Sequence, residues 1–248
     1  MSDLEDYLNK LIRKKNIFRE QSFENLKQVL VNLKIKKPNK IISITGTNGK
    51  GSTAEILSRV LAKNKYEVGL LTSPHLVKFN ERIRINNENI DDSEMLNCLE
   101  EVDKLKDSKE LNFYQIIAAA AFLFFSKKKL DVWILEVGLG GRLDPANYFD
   151  ADISVITKIA LDHENILGKG VENIGREKAG IFRTNQTVIF GEGSIPNSVL
   201  KIVEKLNVDL HKVDGANIES AYFHKNSLGI SKKIFELQFP EIDAKSEL

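Results

Sequence analysis

The chain contains few of the residues that stabilise small secreted proteins or mark membrane proteins. Cys98 is the only cysteine among 248 residues, which excludes a disulfide framework and a cysteine-based zinc site. A reducing compartment is therefore expected. The longest apolar segment, 116–125, is too short to span a bilayer, and the first 30 residues lack the pattern of a signal peptide. We expect a soluble cytoplasmic protein that does not work at a membrane.

The chain also lacks a dominant charge. It has 36 Lys and Arg against 35 Asp and Glu, a formal net charge of +1, which gives no electrostatic reason to expect a nucleic acid or an acidic partner. Two short basic runs, 13–15 and 34–40, are typical of solvated surfaces. With 42% hydrophobic residues, a chain of this length can bury a large core.

The order of apolar patterns predicts an α/β fold. A helical part over 1–40 precedes a core over 41–207 in which strands and helices alternate, and a small antiparallel β segment follows over 208–248. This alternation predicts a mostly parallel sheet with helices on both faces. Four unusual clusters follow predicted strands and should meet at one sheet edge, where such folds bind ligands: 45–52, 72–75, 136–142 and 157–163.

The first of these clusters, "GTNGKGST", resembles a phosphate-binding loop between a strand and a helix. It departs from the usual pattern G-x-x-x-x-G-K-[ST], because Ile44 stands at the first glycine position and Gly51 follows Lys50. Glycines and a helix amino end can still present N–H groups to phosphate oxygens. A glycine-rich turn with an incidental lysine is the alternative, and the strand and helix on either side favour nucleotide binding. The expected ATP-binding residues are Gly46, Thr47, Asn48, Gly49, Lys50, Gly51, Ser52 and Thr53.

A set of six segments then points to a family. "TGTNGKGST", "LLTSPHL", "NERIRIN", "LEVGLGGRLD", "ITKIALDH" and "REKAGIF" resemble, in order and spacing, the folylpolyglutamate and dihydrofolate synthases of the Mur ligase superfamily. The resemblance covers about 41–191. It implies an ATP- and Mg²⁺-dependent ligase with a P-loop domain of the Mur ligase central type. It also implies a C-terminal ligase domain, which we expect to be absent from this sequence.

Four residues are candidate metal ligands. Glu136 ends a buried strand, where a carboxylate beside a triphosphate suits Mg²⁺, although a solvated strand-end glutamate is the alternative. The resemblance implies the same role for Ser73 and His163. It also implies that Lys178 is carbamylated by CO₂, which would turn a cation into a second carboxylate ligand. Without the resemblance, Ser73 would be a turn residue and Lys178 a surface lysine.

Other positions near the predicted site are less well defined. His75 has equal claims to a structural role and to a role in the site. Arg142 and Asp144 lie in a segment that resembles the family's mobile loop, but Pro145 and Ala146 depart from its commoner form. The sequence also departs from the family at Asn112 and Gln115, where many relatives carry threonine and an acidic residue.

The implied reaction is ATP-dependent amide ligation with Lys50, Lys178 and His163 as catalytic residues. A folate or dihydropteroate carboxylate would take the γ-phosphoryl group to form an acyl phosphate, and L-glutamate would displace phosphate. Lys50 would neutralise charge on the transferring group. The alternatives are a catalytically silent nucleotide-binding module, another Mur-type ligase such as one building cell-wall peptide, or a P-loop kinase or GTPase, which the missing N-K-x-D motif disfavours.

Overall fold

The computed structural model of the protein describes residues 3–12, 20–106, 110–213 and 225–248. The helices in these ranges are α1 (Asp3–Ile12), α2 (Glu20–Asn32), α3 (Lys50–Lys63), α4 (Asp92–Lys106), α5 (Phe113–Ser126), α6 (Glu164–Leu167), α7 (Val171–Ala179), α8 (Asn197–Leu206), α9 (Lys225–Gln238) and α10 (Ala244–Glu247). The strands are β1 (Lys40–Thr45), β2 (Val68–Leu71), β3 (Ile83–Ile85), β4 (Glu88–Asn89), β5 (Val132–Glu136), β6 (Ile153–Lys158), β7 (Thr187–Glu192) and β8 (Asp209–Lys212).

The strands form one sheet in the order β4-β3-β2-β5-β1-β6-β7-β8. Strands β2, β5, β1, β6, β7 and β8 are parallel, while β3 and β4 form an antiparallel hairpin at one edge. The predicted mostly parallel sheet is therefore confirmed. The chain leaves β1 in one direction to build β2 and β5 and later returns to add β6 on its other side, so the end of β1 is a topological switch point.

The sheet separates two apolar layers. Alternate residues of each strand face opposite sides, so in β5 Trp133 and Leu135 join one layer while Val132 and Ile134 join the other. The first layer packs against α1, α2, α4, α5, α7 and α8, and the second against α3, α9 and α10. Because both faces are covered, the central strands read as continuous apolar runs. No helix in the described part of the chain is long and apolar enough to cross a membrane.

The predicted β segment over 208–248 is wrong in most of its described part. Only β8 is a strand there, and it pairs parallel with β7, while 225–238 and 244–247 are helical. Ile230, Ile234 and Phe235 are fully buried on one side of α9, which is the i, i+4 spacing of an amphipathic helix. Ser231 and two lysines between these positions, and Gly229 directly before them, obscure that pattern in the sequence. Residues 214–224 and the basic run 13–15 lie outside the described residues.

The β3–β4 hairpin was not predicted as such, although it includes the "NERIRIN" segment. Asn86 and Asn87 form its two-residue turn with φ angles of 51° and 70°, the left-handed conformation that such turns require and that asparagine tolerates. Asn86 Oδ1 also accepts a hydrogen bond from the N–H of Val68 at 2.8 Å, which ties the hairpin to β2.

Candidate functional site

The glycine-rich loop connects the central strand β1 to α3. Gly49 stands at the amino end of α3 with a φ of 84°, a left-handed conformation that glycine adopts without steric cost. The helix begins at Lys50. Lys50 therefore belongs to the first turn of α3, where free backbone N–H groups and the helix dipole favour an anion.

Thr157 at the end of β6 holds the loop from one side. Its Oγ1 lies 2.6 Å from the carbonyl oxygen of Asn48 and 3.3 Å from that of Thr45. Gly46 approaches Thr157 so closely that a Cβ at position 46 would overlap Thr157 Oγ1 and lie 3.1 Å from Thr157 Cβ. The first glycine of the motif is thus required by its neighbour on β6 as well as by the turn.

Two further contacts fix the loop. The Thr47 N–H donates to the Lys158 carbonyl at 2.8 Å, and the Thr47 hydroxyl donates to the Ala160 carbonyl at 3.2 Å. Two residues of α9 also reach this region, although sequence analysis assigned no function to them. Asn226 Nδ2 donates to the Thr157 carbonyl at 2.9 Å, and Ser227 Oγ lies 3.4 Å from the Gly49 carbonyl. The loop is held in position before any ligand binds.

The side chains of the predicted loop residues differ in whether they already form a hydrogen bond within the protein. Lys50 Nζ folds back on the loop and donates to the Gly46 carbonyl at 3.0 Å. The Thr53 hydroxyl is buried and donates to the Gly49 carbonyl at 2.8 Å. Ser52 is half-buried, and its hydroxyl has no hydrogen-bond partner among the described residues. Of the two hydroxyls, Ser52 is therefore the one available to a ligand.

Glu136 lies beside the loop at the end of β5 and is only 3% exposed. Its Oε2 accepts the backbone N–H of Ser73 at 2.9 Å, and a Cβ on Gly51 would lie 3.6 Å from the same oxygen. Burial raises the pKa of Glu136, while the Ser73 N–H and the positive charge of Lys50 oppose that shift. The alternative of a solvated strand-end glutamate is therefore wrong.

Two residues near Glu136 were missed by the sequence analysis. The Tyr114 hydroxyl donates to the Glu136 carbonyl at 3.0 Å, and burial raises the pKa of Tyr114 well above its ordinary value. Arg82 Nε donates to His75 Nδ1 at 2.9 Å, and its guanidinium lies over the Phe79 ring at 5.1 Å. These contacts account for His75 as a structural partner of Arg82.

A small cavity of about 30 Å³ lies on the other side of the loop. It has room for a water molecule or an ion and not for a nucleotide, and the polar residues in its wall include Lys50, Asp162, His163 and Lys178. His163 is half-exposed, with its Nε2 3.6 Å from an Asp162 carboxylate oxygen. Its φ of 50° places it in the left-handed region at the start of α6.

Lys178 is the most unusual residue of this cavity. It is 5% exposed, and its ammonium has no hydrogen-bond or ion-pair partner among the described residues. The pKa of Lys178 is lowered to about 8, chiefly by burial and also by the charge of Lys50, while Asp162 and Asp144 act in the opposite direction. The interpretation of Lys178 as a surface lysine is therefore wrong.

The segment after β5 is organised by Asp144. This carboxylate is 1% exposed and accepts the N–H groups of Gly138 and Leu139 at 3.0 Å and of Ala146 at 2.9 Å. Burial raises its pKa to about 7, although these three donors pull the value down. Pro145 opens a 3-10 turn that Asp144 caps, so this departure from the commoner sequence has a structural role.

The same segment packs closely on α7, the helix that carries Lys178. Arg142 Nε donates to Glu177 Oε1 at 3.1 Å, and a Cβ on Gly141 would lie 2.7 Å from the Glu177 carbonyl oxygen. The position of Lys178 is thus coupled to the glycines that follow β5.

The two departures at the start of α5 form a capping box. Asn112 Oδ1 accepts the Gln115 N–H at 2.9 Å, and Gln115 Oε1 accepts the Asn112 N–H at 2.9 Å. Gln115 Oε1 also accepts the Ser22 hydroxyl at 2.6 Å, which joins α5 to α2. Both side chains are therefore accounted for by the fold.

Comparison with known proteins shows the family to which the chain belongs. The model of the Mur ligase middle domain matches residues 44–248. This chain belongs to the Mur ligase family. A dihydrofolate synthase/folylpolyglutamate synthase of Buchnera aphidicola subsp. Acyrthosiphon pisum is 42% identical over 180 residues, which cover 73% of this chain and 44% of that protein.

Solved structures agree with the family assignment. E. coli FolC in complex with DHPP and ADP matches with a TM-score of 0.81 and 36% identity over 85% of this chain and 51% of that one. A bifunctional folylpolyglutamate synthase/dihydrofolate synthase with Mn, AMPPNP and L-glutamate bound matches with a TM-score of 0.78 and 37% identity over 86% of this chain and 52% of that one. The chain spans about half the length of the relatives that it matches.

This Mur ligase domain divides the four candidate metal ligands into two pairs. Ser73 contacts Glu136, whereas His163 and Lys178 line the small cavity, whose wall as described includes neither Ser73 nor Glu136. Within the described ranges, no three His, Cys, Asp or Glu side chains come together as a metal centre. A bound cation would therefore need ligand oxygens from a phosphate or from water, as Mg²⁺ commonly uses.

Proposed function

We propose that this Mur ligase domain binds MgATP at residues 46–53 and supports ATP-dependent ligation of L-glutamate to a folate or dihydropteroate carboxylate. The observation that carries the proposal is the buried Glu136 carboxylate beside a glycine-rich loop with Lys50 in the first turn of α3. The relatives named above are synthases of this kind, and two solved relatives hold ADP or AMPPNP.

The loop would bind the phosphate groups through its own atoms. Backbone N–H groups of the first turn of α3 would face phosphate oxygens. Lys50 would leave the Gly46 carbonyl and contact the phosphates, and the unpartnered Ser52 hydroxyl would contact a phosphate or a cation. The contacts from β6 and α9 hold this loop in place, which reduces the ordering required on binding.

A divalent cation fits the pair on the Glu136 side of the loop. Glu136 and Ser73 would hold it together with phosphate oxygens and water, and bound there it would neutralise charge on the phosphoryl group. The fit rests on the burial of the Glu136 carboxylate, which accepts the Ser73 N–H and forms no ion pair with any described residue. His163 would be a ligand of a cation on the side of the small cavity.

The acyl-transfer chemistry follows from these positions. The acceptor carboxylate oxygen would attack the γ-phosphorus, forming a P–O bond while the bond to the ADP oxygen breaks. The amine of L-glutamate would then attack the acyl carbon, lose a proton and release inorganic phosphate. Lys50 would neutralise charge that develops on the transferring group.

We further propose that Lys178 reacts with CO₂ when the site is in use. A pKa of about 8 leaves roughly a quarter of the amine neutral at pH 7.5. The neutral nitrogen would form a C–N bond to CO₂ and lose one proton to solvent, which gives a carbamate. The cavity around Lys178 leaves room for this group. The new carboxylate would attract Lys50, which the Lys178 ammonium repels.

Nucleotide binding and phosphate release test the main proposal. Lys50→Ala should weaken binding of a fluorescent ATP analogue at least tenfold, because the variant loses a charge-assisted phosphate contact. Lys63→Ala removes the lysine at the other end of α3 and should leave binding unchanged. Equal binding by both variants would refute the assignment of the loop, and binding without phosphate release at any acceptor would favour a silent module.

The acceptor is identified by a panel. The protein with MgATP and L-glutamate should release phosphate faster when dihydropteroate or a reduced folate is added than when a cell-wall peptide precursor is added. Stimulation by the peptide precursor alone would assign the domain to another branch of the family.

A further inference from the structure

Tyr114, at the start of α5, contacts the end of the strand that carries Glu136. It belongs to the first turn of the helix, which Asn112 caps, and its ring is partly buried. The Tyr114 hydroxyl donates to the main-chain carbonyl of Glu136 at 3.0 Å. A side chain on one element thus holds the backbone of a candidate metal ligand on another.

The Glu136 carbonyl lies beyond the last pair of the ladder between β2 and β5. That ladder ends with the pair Leu71 and Leu135. The Ser73 N–H, two residues further along, donates to the Glu136 carboxylate at 2.9 Å instead of to its carbonyl. A main-chain carbonyl near the protein interior needs a donor, and the Tyr114 hydroxyl supplies it. The orientation of Glu136 therefore depends on a contact from outside the sheet.

Close packing fixes the Tyr114 ring against the segment that follows β5. A Cβ at position 138 would lie 2.8 Å from Tyr114 Cε1 and 3.1 Å from its Cζ, so only glycine lets the ring pack this closely on the backbone. The Gly138 N–H in turn donates to the buried Asp144 carboxylate at 3.0 Å. The ring rests on backbone that is itself held in place.

The Tyr114 hydroxyl also interacts with Ser73. Burial raises the pKa of Tyr114 well above its ordinary value, and a hydrogen bond with the Ser73 side chain opposes that shift. Because a hydroxyl can donate one hydrogen bond and accept another, Tyr114 can donate to the Glu136 carbonyl and accept from Ser73. One side chain thereby joins the two residues that would hold the cation.

We propose that Tyr114 is a positioning residue for the cation site formed by Ser73 and Glu136. It acts through these two residues and does not contact the cation. Outer contacts of this kind orient metal ligands, and their loss commonly costs about 10- to 100-fold in metal affinity. The inference rests on the function proposed above, because it takes Ser73 and Glu136 as ligands of the cation of MgATP.

The test measures the coupling between the metal and the nucleotide. A fluorescent, non-hydrolysable ATP analogue is titrated into the full chain with saturating Mg²⁺ and again with EDTA. The ratio of the two dissociation constants is the gain in affinity due to Mg²⁺. A residue that only supports the fold of the loop would change both constants together, whereas a residue that positions the metal ligands would change the gain.

Tyr114→Phe removes the hydroxyl and keeps the ring. The gain due to Mg²⁺ should fall about tenfold, while binding in EDTA should change by less than about twofold. Tyr7→Phe is the matched control, because the Tyr7 hydroxyl also donates to a backbone carbonyl, that of Leu99 at 3.4 Å, but lies on α1. This control should leave the gain unchanged.

Two more variants test whether Tyr114 acts through Glu136. In the Glu136→Gln background, which already lacks the carboxylate ligand, Tyr114→Phe should have little further effect on the gain, so the two losses should not add. Gly138→Ala would push on the same ring from the other side and should also reduce the gain. It provides a test that does not require Tyr114→Phe to fold.

The outcomes separate this inference from the proposed function. A wild-type gain that Tyr114→Phe leaves unchanged, or that Gly138→Ala leaves unchanged if the first variant does not fold by circular dichroism, would overturn the positioning role alone. Additive losses in the Tyr114→Phe/Glu136→Gln double variant, or an equal loss in Tyr7→Phe, would do the same. A wild-type chain that binds the analogue with no gain from Mg²⁺ would overturn the proposed cation site and the role of Tyr114 with it.

Discussion

Gly46→Ala tests whether the loop is positioned by its contact with β6. A methyl group at position 46 would overlap Thr157 Oγ1 and lie 3.1 Å from both Cβ and N of Thr157. The backbone nitrogen cannot move without disturbing β6, which pairs with β1 and β7. The Thr157 side chain can rotate, but its hydroxyl would then lose its hydrogen bond to the Asn48 carbonyl.

The cost can be worked from these contacts. Overpacking of a close-packed site costs about 1–3 kcal/mol, and a non-glycine residue at a φ of +149° adds about 1–3 kcal/mol of backbone strain. The free energy of unfolding should therefore fall by about 2–6 kcal/mol. Affinity for ATP should fall as well, because the loop backbone must shift.

Gly193→Ala is the matched control. Gly193 has a φ of +98°, and a Cβ there would meet nothing within 4 Å, so this variant carries backbone strain without the clash. Urea unfolding of both variants, followed by circular dichroism, separates the two costs. A loss of stability in Gly46→Ala no larger than that in Gly193→Ala would refute the steric argument.

A double-mutant cycle sharpens the result. Thr157→Ala removes the hydroxyl that the new methyl group would meet, so Gly46→Ala should cost less in that background, with a coupling energy of about 1 kcal/mol or more. Additive losses of stability in the double variant would show that the strain lies elsewhere in the loop.

Three further predictions concern the buried ionisable groups. Glu136→Gln should weaken Mg²⁺-dependent nucleotide binding at least tenfold in a metal titration, with a change of less than about 1 kcal/mol in unfolding free energy, because the amide oxygen still accepts the Ser73 N–H. Lys178→Met should raise the unfolding free energy at pH 7 by roughly 1–3 kcal/mol, since a lowered pKa means that burial of the charged form is unfavourable. In urea titrations the wild type should recover this deficit as pH rises from 8 to 10.5, where the unfolded state binds more protons, and a pH-independent difference would contradict the prediction. Asp144 has its pKa raised to about 7, so the folded state holds the proton more tightly; wild type should lose about 2–4 kcal/mol relative to Asp144→Asn between pH 4 and pH 7, and a constant difference over that range would be inconsistent with a buried carboxyl.

The central sheet could be predicted because its physics is local. Residues of β1, β5 and β6 are apolar on both faces, and glycine follows β1 and polar residues follow β6 at the edge where parallel strands end. The helix α9 could not be read in the same way. Serine and lysine separate its buried apolar positions, and many of its apolar partners belong to α3, more than 160 positions earlier in the chain.

The site was predictable as a set of strand ends but not as a set of contacts. The roles of Thr157 and Asn226 have no local signature, since Thr157 holds loop carbonyls 109 and 112 positions away and Asn226 holds the Thr157 carbonyl 69 positions away. The burial of Lys178 was hidden for a related reason. Its helix α7 shows an ordinary charged pattern, and the residues that cover it come from β1, from the segment after β5 and from α6.

Three buried ionisable groups lie around the loop. Glu136, Asp144 and Lys178 are each at least 95% buried. Burial raises the pKa of the two carboxyl groups and lowers that of the lysine, which in each case favours the uncharged form. Buried ionisable groups are costly unless they are paired, and in the described residues the two carboxylates accept backbone N–H groups while Lys178 has no such partner. A ligand that carries both phosphate oxygens and a cation offers partners of both signs to these groups. The geometry that makes the free domain less stable is therefore the geometry that a metal nucleotide would complete.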